Sequence, residues 1–224
     1  MLDHDTVQFL ADLDANNDKA WFEANRGRYE QHWLGPARAF VNELGPRLAD
    51  ISSGLHASTK NGGSIFRIHR DTRFSKDKTP YKTHLDMMFW EGAGRSRECP
   101  GLFFRLTPTE LVLGGGMHGF AKEVLASYRQ AVAGEPGAEL EALLSRVPEG
   151  WDIGDVSYKR VPRGFDKEHP RGELLRHGAL HVGRTTPHPA SLGTPAFIDE
   201  VLQAFEAAYP LVGWLLGITE PLKG

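Results

Sequence analysis

At Ser64 the hydrophobic period changes from helical to two, and this change limits the possible folds more than any other feature of the chain. In the segment 65–70, Phe66 and Ile68 fall on one side, while Ile65, Arg67 and His69 fall on the other. Along 83–90, Leu85, Met87 and Phe89 alternate with His84, Asp86, Met88 and Trp90. Along 102–107, Leu102, Phe104 and Leu106 alternate with Phe103, Arg105 and Thr107. Thr107-Pro108-Thr109-Glu110 has the composition of a tight hairpin turn leading into a fourth segment, 111–114. Short strands joined by turns predict an antiparallel sheet. Its aliphatic side should bury Leu85, Met87, Phe104 and Leu106 under helices.

The flanks of this region read as helices. Asn16, Asn17 and Asp18 offer N-cap oxygens to a helix carrying Phe22, Tyr29 and Trp33, which lie within about 40° of one another at helical spacing. Gly35-Pro36 should break the chain and restart it, with Phe40, Val41, Leu44 and Leu48 facing inward and Pro46 awkwardly interior. Helices are predicted again within 117–147, with Tyr128, Val132 and Leu140 on their apolar sides. Residues 148–195 are rich in Gly, Pro, Arg and His and read as irregular, with a short helix near Glu173. The stretch 196–217 reads as helical, with a last helix over about 195–209 that Pro210 is expected to end and 211–216 covering the core again. With 40% apolar and 25% charged residues, a packed core is feasible. The fold class expected is α+β in one domain over 1–224, its antiparallel sheet of about four or more strands covered by helices on one face.

Charge is unevenly placed. The whole chain has 26 basic and 29 acidic residues, a net −3. Between Arg67 and Lys82, RIHRDTRFSKDKTPYK holds six basic residues against two acidic ones, a net +4, which leaves −7 on the remainder. Such separation points to a local surface that meets an anion. A solvated turn with exposed ion pairs would show the same composition. The overall acidity counts against nucleic acid as a partner, although Phe74, Tyr81 and Trp90 offer rings for stacking. The single cysteine, Cys99, rules out an internal disulfide and fits a reducing compartment. The apolar run 209–218 is half of the ~20 residues that a spanning helix needs, and the acidic start of the chain is unlike a signal peptide. A cytoplasmic protein with no membrane partner is expected.

The same alternation assembles a candidate site. If the strands pair, the face opposite the core collects Arg67, His69, His84, Asp86 and Arg105. Imidazoles, a carboxylate and guanidinium groups together supply general acid–base chemistry and a place for negative charge. His69, His84 and Asp86 are the catalytic candidates. Arg67, Arg70, Arg73, Lys78, Tyr81, Lys82, Arg105 and Gly115 are the ligand-binding candidates, with Arg70, Arg73 and Lys82 expected to dominate affinity. Gly115 belongs to a glycine run, 114–116, that permits either a bend or an anion-binding nest. His177 and His181 have helical metal-ligand spacing, but Gly178 between them and the lack of a nearby acid argue against zinc. No metal ligand set is assigned, and no cofactor is read from the sequence. A second basic patch, with Lys159, Arg160, Arg163, Lys167 and Arg171, reads either as a flap over the first or as a solvated loop.

At NNDKAWFEANRGRYE, FRIHRDTRFSKDKTPYKTH, LGGGM and KRVPRGFDKEHP the chain resembles the family catalogued as domain of unknown function 2461. The resemblance covers nearly the whole length and rests on Asn17, Trp21, Phe22, Asn25, Arg70, Asp71, Arg73, Phe74, Lys78, Pro80, Tyr81 and Lys82 together with the glycine run. It implies a single α+β domain and supplies no substrate. Two positions depart from the family pattern: His118-Gly119-Phe120 stands where members often have proline, and His177 where they tend to have lysine. Taken together, the residues favour a protein that binds a small phosphate- or carboxylate-bearing ligand, with histidine chemistry as an extension. The competing reading is a non-enzymatic module whose basic segment docks an acidic partner. The sequence leaves enzyme activity and oligomeric state open.

Overall fold

The computed structural model describes residues 1–60, 62–154 and 156–220. The fold is α+β, with a six-stranded antiparallel sheet. The strands are β1 (Leu55–His56), β2 (Leu85–Glu91), β3 (Gly101–Leu106), β4 (Glu110–Met117), β5 (Asp152–Ile153) and β6 (Leu180–Pro187), in the spatial order β1-β2-β3-β4-β6-β5. The helices are α1 (His4–Ala15), α2 (Lys19–Ala24), α3 (Arg26–Tyr29), α4 (Gly35–Arg47), α5 (Lys122–Ala133), α6 (Pro136–Leu144) and α7 (Ala196–Thr219). The chain divides into two compact units. The first comprises 1–89, 103–113 and 185–203; the second comprises 90–102, 114–184 and 204–224.

The first unit is built on aromatic packing. Asp3 caps α1 by accepting from the N–H groups of Asp5 and Thr6, and Asp18 caps α2 by accepting from Trp21. The stripe read from the sequence is continuous, with ring centroids 5.2 Å apart both for Phe22–Tyr29 and for Tyr29–Trp33. Gly35-Pro36 does not break the chain as expected. A π-helical turn, Glu30–Leu34, runs straight into α4. Pro36 lies in the first turn of α4, where a missing N–H costs little, and Pro46 lies at its other end. Phe40 of α4 packs 5.2 Å from Phe104 of β3 and 5.8 Å from Phe197 of α7. Leu85, Met87, Phe104 and Leu106 are buried, as the period-two reading requires. The hairpin reading also holds: Thr107 accepts the N–H groups of Thr109 and Glu110 on its hydroxyl and donates its own N–H to the Glu110 carbonyl.

The second unit packs α5, α6 and the end of α7 around Tyr128, Val132, Leu140, Phe205, Val212 and Leu215. Tyr128 donates to the Leu174 carbonyl at 2.9 Å, and burial pushes its phenol well above the ordinary range. Within the span read as irregular, a short 3-10 turn at Leu174–Arg176 precedes β6, whose Val182 and Gly183 pair with Ile153 and Asp152. Pro210 does not end α7, which continues to Thr219. By length and composition α7 could cross a membrane, yet half of its most apolar window is buried.

Candidate functional site

Alternation along β2 turns Leu85 and Met87 inward and leaves Asp86 on the other face. Three side chains converge on its carboxylate, which is only 12% exposed. Arg105 donates from Nε to Oδ1 at 2.7 Å; His84 Nε2 lies 3.1 Å from Oδ2; Lys82 Nζ approaches the same oxygen at 3.4 Å. Burial alone would raise the Asp86 carboxyl, but the bonds from His84 and Arg105 outweigh it and hold the group well below the usual carboxylate range. One carboxylate therefore organises two permanent cations and an imidazole, and the cluster stays positive. Arg105 is about half exposed, and its Nη groups make no hydrogen bond among the described residues. Lys82 also lies 5.5 Å from the centroid of the Phe66 ring, a cation–π contact.

Segment 65–70 is not a regular strand, which corrects the sequence reading. It makes two isolated antiparallel bridges, Ile65 with Met87 and His69 with Tyr81. The four steps from Ile65 to His69 face six steps from Tyr81 to Met87, and the surplus is taken up where the chain bends at Thr83 and His84. Bridge partners project to the same side, so His69 goes with Tyr81. Its ring lies 5.2 Å from that of Tyr81 and 6.2 Å from that of Phe22. The structure thus groups His84, Lys82 and Arg105 on Asp86, while the ring contacts of His69 are with Phe22 and Tyr81. Period two is kept only in part: Ile68 is buried and Arg67 and His69 are exposed as the alternation requires, but the Ile65–Met87 bridge puts Ile65 on the core side. Phe66, which alternation assigns to the core, is half-buried and lies beside Lys82. Arg67 is exposed and forms no ion pair among the described residues.

Most of the other basic candidates build the loop 71–80. Arg70 donates to the Asp77 carboxylate and to the hydroxyl and carbonyl of Thr79. Asp77 also accepts the Thr79 N–H at 2.9 Å; that bond, followed by the one from Arg70, lowers its carboxyl to about 2. Arg73 holds Asp71 through two bonds of 2.9 and 2.7 Å, which keep that carboxyl well below its ordinary value. Lys78 donates to the Thr72 carbonyl at 2.8 Å. Tyr81 is 4% exposed, stacked on Phe22 at 4.1 Å. Asn17 donates to the Tyr81 carbonyl and accepts its N–H, so one side chain completes both backbone bonds. From spacing Asn17 reads as a capping candidate, and the family resemblance includes it without giving it a role. Nothing in local spacing links it to a residue 64 positions away.

Gly115 is not a ligand cradle. The glycine run lies inside β4, and a Cβ on Gly115 would meet Ala208 and Val212 of α7 at 3.0 Å. Gly116, at φ +137°, lies so close to the Leu180 carbonyl and His181 that no side chain fits. Cys99 is buried. Arg171 of the second basic patch is tied down by Glu141 and by the carbonyls of Val132 and Gly134. Among the described residues no group of three or more His, Cys, Asp or Glu side chains could hold a metal ion.

No curated protein matches the chain. A family model described as conserved hypothetical protein, DUF2461, matches residues 5–214. This match spans nearly the whole sequence and agrees with the motifs around Asn17 and Arg70–Lys82, so the chain belongs to the DUF2461 family.

Proposed function

We propose that the face around Asp86 binds a small anion, a phosphate or carboxylate group, between Lys82, His84 and Arg105. The observation that carries this reading is the convergence of three donor side chains on one nearly buried carboxylate. Asp86 uses only the Nε of Arg105, so the guanidinium fork remains for a planar oxyanion. A carboxylate beside one imidazole nitrogen orients the ring and leaves the other nitrogen for a ligand proton, so His84 is the acid–base candidate of this site. Arg70, Arg73 and Lys78 enter the proposal as residues that shape the adjoining loop.

Titration calorimetry with inorganic phosphate, acetate and a mononucleotide at low ionic strength tests the reading. Arg105→Ala should weaken binding roughly tenfold or more, since a charge-assisted bond contributes about 1.5–3 kcal/mol. Arg73→Ala should leave it unchanged, because that guanidinium already serves Asp71. Absence of binding to all three anions at millimolar concentration would sink the proposal.

A further inference from the structure

We propose that the protein self-associates, with Phe74 of one copy seated in an apolar groove of a second copy. Phe74 is 94% exposed on the loop 71–80. The Arg70–Asp77, Arg73–Asp71 and Lys78–Thr72 bonds hold that loop before any partner arrives. A large aromatic side chain held out in water on a fixed loop is suited to anchor an interface, because it buries much area and loses little entropy on docking. Lys76 beside it is exposed and forms no ion pair among the described residues, whereas Arg73 and Lys78 are engaged by Asp71 and by the Thr72 carbonyl.

The groove lies among α5, α6 and the end of α7. Its volume is about 690 Å³, and its lining includes Ala131, Pro136, Leu143, Trp214 and Ile218 with Glu139 at the edge. That size falls within the range of ligand pockets, roughly 300–1,000 Å³, and accommodates an aromatic ring with part of a neighbouring side chain. Glu139 in this lining is exposed and gives the groove a negative rim, with Glu135 exposed just before α6. Loop 71–80 carries three basic residues against two acidic ones, so Lys76, left without an ion pair among the described residues, meets a rim of opposite sign on a second copy. One ring and a few charges bury far less than the ~1,200 Å² of a stable interface, so the association is weak, with dissociation constants on the order of 10–1,000 μM.

Sedimentation equilibrium from ~10 μM to ~1 mM, at low and high salt, reads this range. Two variants keep the fold. Phe74→Ala alters a side chain that is 94% exposed. Gly217→Phe fills the groove from α7, where an added Cβ meets nothing within 4 Å and a helix position loses its glycine. The wild-type mean mass should rise with concentration and fall with salt, and each variant should weaken association at least ~tenfold. A monomer at every concentration, indifference to salt, or unchanged association in either variant would overturn the proposal. Anion binding around Asp86 is untouched by both substitutions, so failure here leaves the proposed function standing.

Discussion

Two residues show how single side chains hold this structure. Asp86 has a native carboxyl pKa depressed below its ordinary 3.8, so it stabilises the fold fully above about pH 5. That contribution declines as the pH falls below the unfolded value and is gone once the native group is protonated. Asp86→Asn should therefore cost about 2–4 kcal/mol at pH 7, with the half-exposure of Arg105 keeping the loss below that of a fully buried pair. Urea unfolding at pH 7 and pH 3 checks the sign: the difference between wild type and variant must shrink at the lower pH. Asn17 acts through hydrogen bonds alone. Asn17→Ala leaves the N–H and C=O of nearly buried Tyr81 without their partners and should cost about 1–3 kcal/mol. Asn17→Asp keeps the acceptor and loses the donor, so denaturant melts should place it between alanine and wild type.

Strand β4 shows at the level of an element why glycine is required. Gly115 lets α7 approach, and its contacts are with side chains that can shift, so Gly115→Ala should cost about 1 kcal/mol. Gly116 faces backbone at positive φ, where nothing can move aside, so Gly116→Ala should cost more, about 2–4 kcal/mol. Thermal unfolding of the two variants ranks them, and equal midpoints would contradict the packing argument. The run was legible as glycine but not as strand, because the contacts that demand it come from α7 and β6, distant in sequence. Alternation located β2, β3 and the hairpin to β4, whose two faces differ sharply in polarity. At 65–70 it ordered Arg67, Ile68 and His69 correctly as exposed, buried and exposed, but the irregular backbone puts Ile65 opposite buried Met87 and Phe66 beside Lys82, each on the side alternation denies it. It also missed β6, since Leu180 and Val182 are surrounded by Gly, His and Arg and offer little apolar signal. Pro210 misled for a different reason: tertiary packing of α7 outweighs the single backbone bond that proline removes.

Across the whole molecule, neither compact unit is a continuous piece of chain. The first unit takes 1–89 and 103–113 but needs 185–203 to close its core. Phe197, Ile198, Val201 and Leu202 in that last stretch are all buried. The Phe197 ring lies 5.8 Å from Phe40 and 6.2 Å from Phe104, and Asp199 accepts from Arg47 at 2.7 Å. Burying an apolar side chain of this size contributes about 1.5–3 kcal/mol, so the four together amount to about 6–12 kcal/mol. That is comparable with the entire stability of an ordinary domain, about 5–15 kcal/mol. A chain ending at Leu113 should consequently lack a fixed core, although it retains α1 to α4, β3 and the first half of β4. The exposed ion pair of Arg47 with Asp199 adds little to this loss, so the outcome depends on the apolar contacts. Near-ultraviolet circular dichroism should be flat for the shortened chain, and heating should give no cooperative transition. A sharp melt would show that Phe40 and Phe104 find cover without α7, and would make the stretch 185–203 dispensable to the first unit.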